Sequence, residues 1–197
     1  MNRRSALKKT SLFAGAAVAM PTMLALLQSC KNETRIDWQP LFFTPIEAIT
    51  ISTLVDMMLP RTDTPGALDV KVDVFIDKVI AETYDKEGQQ NLRDEIAAFN
   101  SDCENKYGNP FHKLDQEQRI AILTSSEKSS GKFNPNIWGK TVGDQKPIGF
   151  YRAMKSMAIW AYFTSEEIGE NVLNYLPVPG TYEGCKPVSE IGKRWSL

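Results

Sequence analysis

Ile148-Gly149-Phe150-Tyr151-Arg152-Ala153-Met154-Lys155-Ser156-Met157-Ala158-Ile159-Trp160-Ala161-Tyr162-Phe163 is the most apolar stretch of the chain beyond residue 30. It is too long for one ordinary strand. Wound as a helix it is apolar nearly all round, with Arg152, Lys155 and Ser156 as a narrow polar edge. Such a helix lies at the centre of its own core or is covered by a partner, and both readings stand. If a partner covers it, the candidate contact residues are Phe150, Tyr151, Met154, Met157, Trp160 and Tyr162.

The flanking sequence is helical in the same way. Thr44 can cap a helix, Pro45 suits its first turn, and Glu47 completes a capping box. Ile51, Leu54, Val55, Met58 and Leu59 then form one apolar stripe before Pro60 stops the helix. Arg61 to Gly66 reads as a loop. From Val70 to Tyr84, Val72, Phe75, Ile76, Val79 and Ile80 share a face, with Asp73, Asp77 and Lys78 off it. Gln89 to Lys106 turns Leu92, Ile96 and Phe99 inward, and Tyr107-Gly108-Asn109-Pro110 ends it. Asp115 to Gln118 looks like a capped start, with Ile120, Leu123 and Ala121 packing behind it. Ser125 to Asp144 reads as a long surface loop or a frayed helix end. Thr164, with Glu167 three residues on, predicts a further capped helix to Tyr175. The last twenty residues are rich in Pro and Gly and predict an irregular tail. No useful β-alternation and no internal repeat occur. The fold class expected is all-α: a small globular bundle of five or six helices.

The chain has 197 residues with 23 Lys+Arg and 24 Asp+Glu. A nucleic-acid protein would usually show a basic excess. The charges are unevenly placed. Residues 1–29 hold Arg3, Arg4, Lys8 and Lys9 and no acid; the remaining 19 basic residues face 24 acidic ones, a net charge of −5. A basic start followed by an apolar run from Leu12 to Leu27, broken by Pro21, is the build of an export signal. Arg3-Arg4 with Leu7 and Lys8 resembles a twin-arginine signal, although Asn2 and Ala6 depart from it. Leu27-Gln28-Ser29-Cys30 resembles a bacterial lipoprotein box, with Cys30 as the acylated first residue. The expected organisation is a removed signal over 1–29, a polar tether over 30–43 and one domain over 44–197. The mature protein would then sit on the outer-facing or periplasmic side of a bacterial membrane, held by its lipid.

Beyond Cys30 only Cys103 and Cys185 remain. An exported compartment permits disulfides, so Cys103–Cys185 is the expected bridge. It would close a loop of about 80 residues, worth roughly 4 kcal/mol. No Cys-x-x-Cys is present, which argues against redox work. One His and three Cys are too few for a four-ligand Cys/His metal cluster. No Gly-x-Gly-x-x-Gly follows a strand, so a dinucleotide fold is not encoded. Gly139-Lys140-Thr141 has Asn134 where a phosphate loop needs its first glycine. A lone His112 and the Asp73/Asp77 pair read as packing or solvated residues. The chain is a poor candidate for a free-standing enzyme, and no catalytic, cofactor-binding or metal residue is assigned.

Several segments recur in a telling order. They are Phe43-Thr44-Pro45 through Met58-Leu59-Pro60, Thr62-Asp63-Thr64-Pro65-Gly66-Ala67, and Val74-Phe75-Ile76-Asp77. Then come Phe111-His112-Lys113-Leu114 with Arg119 and Leu123, and Phe163-Thr164-Ser165-Glu166. Last are Leu173-Asn174-Tyr175 and Pro179-Gly180-Thr181-Tyr182-Glu183-Gly184-Cys185. Together they resemble gluconate 2-dehydrogenase subunit 3, the small subunit of a membrane-bound dehydrogenase. The resemblance implies a heteromeric dehydrogenase of sugars or sugar acids. A large subunit of the glucose-methanol-choline type holds FAD and does the chemistry, and a cytochrome c subunit with haem c can pass electrons on. The small subunit carries the export signal, binds the large one and helps it mature, a role that predicts an apolar surface in the region of Phe150–Phe163 and the C-terminal tail. The lipoprotein box is not general in that family and suggests an added anchoring role.

Two other readings remain open. A stand-alone lipoprotein binding a carbohydrate or peptide would use exposed aromatics such as Trp138, Trp160 or Trp195. A small enzyme would use Asp63 or His112.

Overall fold

The computed structural model describes residues 36–131, 148–178, 180–181 and 184–196. Arg3, Arg4, Cys30, Trp138 and most of the Ser125–Asp144 stretch lie outside them.

Helix α1, Pro45–Met58, starts where its local signals place it. The Thr44 hydroxyl accepts the Glu47 amide, and the Glu47 carboxylate accepts the Thr44 amide at 2.7 Å. Sequence predicts a single apolar stripe on this helix. The structure instead buries Thr50, Ile51, Ser52, Thr53, Leu54 and Val55 in succession. Six consecutive positions go round more than a full turn, so α1 is sheathed by its neighbours. Its hydroxyls remain satisfied: Thr50 donates to Ile46 O at 2.9 Å, Thr53 to Ile49 O at 2.7 Å, and Ser52 to Asp73 at 2.6 Å.

Helix α2 is Val72–Thr83. Asp73 and Asp77, read from sequence as lying off the apolar face, are both buried. Asp77 accepts the backbone N–H groups of Leu41, Phe42 and Phe43 at 2.6, 3.0 and 2.8 Å. Arg93 donates to Phe42 O and to Glu47, both at 2.6 Å, with its guanidinium 4.2 Å from the Phe42 ring centroid. The bent entry to α1 is therefore held by a carboxylate on its amides and a guanidinium on its carbonyl.

Helix α3, Lys86–Tyr107, is capped by Asp85 and closed by Gly108 in the left-handed region at φ 77. Leu92, Ile96, Phe99 and Cys103 face the core. A 3-10 turn, Phe111–Lys113, leads into α4, Gln116–Ser129, which opens with a full capping box between Asp115 and Gln118. On α4 the packing residues are Ile122 and Leu123; Ile120 and Ala121 are exposed. Helix α5, Phe150–Phe163, packs against α1, α2, α3, α4 and a π-helical turn, Glu167–Val172. This supports the core-helix reading of the opening stretch.

The Thr164–Glu167 spacing does not produce a capped helix. Thr164 ends α5, and its hydroxyl donates back to Trp160 O at 2.8 Å. The π turn follows without a side-chain cap, and a four-residue α6, Val188–Ile191, lies in the tail. No strand occurs among the described residues. Ile51, Ile76, Ile80, Ile96 and Met154 are essentially fully buried, and each contributes about 1.5–3 kcal/mol.

The expected Cys103–Cys185 bridge is not formed: both thiols are free. Cys103 is the fourth member of the inward stripe on α3, and its thiol points into the core. Cys185 stands exposed on the tail, so it could reach Cys103 only by burying that tail segment. Burial pushes the Cys103 thiol up to about 11.

Candidate functional site

The six contact residues expected on α5 divide. Met154 is 1% exposed and Tyr162 9%, so both belong to the core rather than to a partner surface. Phe150, Tyr151 and Met157 are half-buried, and Phe150 packs on Phe99 with ring centroids 5.2 Å apart. Trp160 alone is truly exposed, at 50%, with its other edge against Phe75 at 5.2 Å. Of the polar edge, Arg152 and Lys155 reach α4, while Ser156 is exposed. Arg152 and Lys155 both bind Glu127, at 2.7 and 3.1 Å. The Lys155 hydrogen bond, more than the Arg152 charge, holds the Glu127 carboxyl below its usual range. The free face of α5 is Ser156, Ile159 and Trp160.

One end of α5 builds a groove. Its hydroxyl at Tyr162 donates to Pro65 O at 2.7 Å and ties the helix to the loop after α1. That loop folds on itself tightly. A Cβ on Gly66 would stand 2.6 Å from the Arg61 amide nitrogen, so only glycine fits without movement. Asp69 accepts the Gly66 amide at 2.7 Å and Arg61 Nε at 2.7 Å, with a second contact to the Arg61 guanidinium. Those donors, Arg61 first, hold the Asp69 carboxyl below its ordinary value. Across from this loop stand Ser165 and the π turn. Between them lies an open concavity of about 770 Å³. Arg61 is engaged by Asp69, which leaves Lys71 against Asp63, Glu166, Glu167 and Glu170 along the walls. The groove is acidic. One wall is residues 61–65 with 69–71, the other residues 165–167 with Glu170 and Asn171, about a hundred residues apart in the chain.

The π turn also begins the tail. Asn174 and Trp195 pair as an isolated parallel bridge, with Asn174 N donating to Arg194 O and Ser196 N to Asn174 O, both at 2.9 Å. The Asn174 side chain adds bonds to Ile191 O at 2.8 Å and Lys193 O at 2.6 Å. Arg194 lies over the Phe163 ring, 5.1 Å from its centroid. The tail is thus a closed arm pinned at its base. Between its ends Tyr175, Leu176, Val178, Val188 and Trp195 are exposed, Val178 at 79% and Val188 at 82%. Sequence reasoning read this tail as irregular in structure and expected apolar surface on it; the exposed side chains are these five.

The residues considered for catalysis do not assemble. The Thr50 hydroxyl hydrogen is committed to Ile46 O, so His112 Nδ1, 3.4 Å away, is the donor of that pair. The His112 carbonyl accepts Arg119 at 2.6 Å. Burial, then Lys113 and Arg119, lower the imidazole pKa, so it is neutral at pH 7. Asp63 is exposed on the groove wall, and Asp73 and Asp77 are occupied by Ser52 and the 41–43 amides. Among the described residues no group of three His, Cys, Asp or Glu side chains is placed to hold a metal. Among them, too, no helix is long and apolar enough to cross a membrane.

The family model described as gluconate 2-dehydrogenase subunit 3 matches residues 45–180, more than half the chain. No curated protein matches, and no solved structure does.

Proposed function

The chain belongs to the gluconate 2-dehydrogenase subunit 3 family, and from that premise we propose that it is the non-catalytic small subunit of an exported, FAD-dependent sugar or sugar-acid dehydrogenase. It escorts the large flavoprotein subunit out of the cell, helps it mature, and anchors it through a lipid on Cys30. The family match carries this reading. The basic, apolar N-terminal sequence with Arg3-Arg4 supports the escort role, and the Leu27-Gln28-Ser29-Cys30 box supports the anchor. The exposed apolar side chains of the arm and of Trp160 support a partner, since soluble monomers seldom leave such groups clustered in water. Electrons would leave the flavin of the large subunit for a cytochrome c or another acceptor, with no redox group on this chain taking part.

Deleting this chain from its host tests the escort role. Dye-linked sugar dehydrogenase activity should vanish from the membrane fraction, and the larger subunit should accumulate in the cytoplasm. Unchanged membrane activity would refute the proposal. In that event the exposed Trp160 and Trp195 would favour a carbohydrate-binding lipoprotein.

A further inference from the structure

We propose that the dehydrogenase subunit docks across the acidic groove and the closed C-terminal arm together, placing a basic, extended segment in the groove and an apolar patch on the arm. This deepens the accessory-subunit reading and rests on it. The two halves adjoin along the chain at the π turn Glu167–Val172. Glu167, Glu170 and Asn171 line the groove, and the chain leaves the turn straight into Asn174, the pin of the arm.

Charge decides what the groove takes. Asp63, Glu166, Glu167 and Glu170 outnumber the single unengaged basic residue, Lys71. A neutral or acidic segment would leave those carboxylates uncompensated as water is displaced, whereas Lys or Arg side chains would pair with them. A second copy of this chain is disfavoured by the same charge, because the body beyond the signal is net −5. The groove also needs little ordering on binding. Gly66 close packing, the Arg61–Asp69 pair and the Tyr162–Pro65 bond fix one wall. The arm supplies the apolar contribution that charge pairs at a wet rim do not, through Tyr175, Leu176, Val178, Val188 and Trp195. Its pinned base limits the entropy lost when it is covered.

The test uses the full, tagged chain produced together with its dehydrogenase subunit, captured at low salt and washed from about 0.1 M to about 1 M salt, over which screening shortens from ~10 to ~3 Å. Wild type should retain the larger subunit and release it progressively as salt rises. The E166K/E170K variant, at two exposed positions, should retain about tenfold less at the lowest salt. Leu176→Ser with Val178→Ser should weaken retention at every salt concentration, with the helical circular dichroism of all variants unchanged. A reversed groove that retains the subunit as wild type does overturns the docking proposal alone. Wild type that carries no larger chain overturns the accessory-subunit reading and the docking with it. A homodimer in place of the larger chain overturns the choice of occupant.

Discussion

Asp77 is the residue on which the entry to the domain depends. Its carboxylate takes three successive amides, those of Phe42 and Phe43 buried and that of Leu41 nearer solvent. Asp77→Ala should lower the unfolding free energy by about 3–5 kcal/mol in urea titration, because buried donors left unpaired each cost about 1–3 kcal/mol. Asp77→Asn keeps the oxygen that serves Phe42 and Phe43 and should cost less. His112 makes a second residue-scale test. Its folded pKa lies below its unfolded value near 6.5, so the unfolded chain binds the proton first as pH falls. Stability should therefore decline below about pH 6.5, and His112→Gln should flatten that part of the curve. The thiols give a third. Maleimide should label Cys185 in the native protein, and Cys103 only after unfolding, without prior reduction. Labelling that first requires a reductant would restore the bridge.

Elements were legible where their signals are local. The Thr44/Glu47 and Asp115/Gln118 boxes and the Gly108 stop are written within a few residues, and each sits where sequence placed it. Thr164 and Glu167 have the same spacing and fail, because the Thr164 hydroxyl is already bound to the last turn of α5. The roles of Asp73 and Asp77 were not legible: their partners lie 21 and about 35 residues away, and only packing brings them together. The α5 polar edge was legible as polar, but its pairing was not, since the partner Glu127 is 25 and 28 residues upstream. Glu127 locks α4 to α5, and its lowered pKa means this contribution is present above about pH 4.5 and fades as pH falls through the folded value. Glu127→Gln should make the acid limb of the stability curve shallower. The groove was partly legible: residues 62–65 and 165–166 fall in segments singled out in the sequence, whereas Asp69, Lys71, Glu170 and Asn171 do not, and nothing in either segment says that it faces the other.

At the scale of the molecule, a five-helix core presents, among the described residues, an acidic groove and an apolar arm from a single π turn. Fold class followed from the helical periodicities. Of the apolar surface expected on α5 and the C-terminal tail, the tail part is exposed, whereas α5 spends Met154 and Tyr162 on the core. Cys30→Ala should move the chain from the membrane to the soluble fraction, together with whatever it carries. The most direct measurement is a visible absorption spectrum of the tagged chain purified from the membranes of its own host. A flavin band with a larger co-purifying chain is the expected result; a colourless single chain would contradict the assignment of this protein as a dehydrogenase subunit.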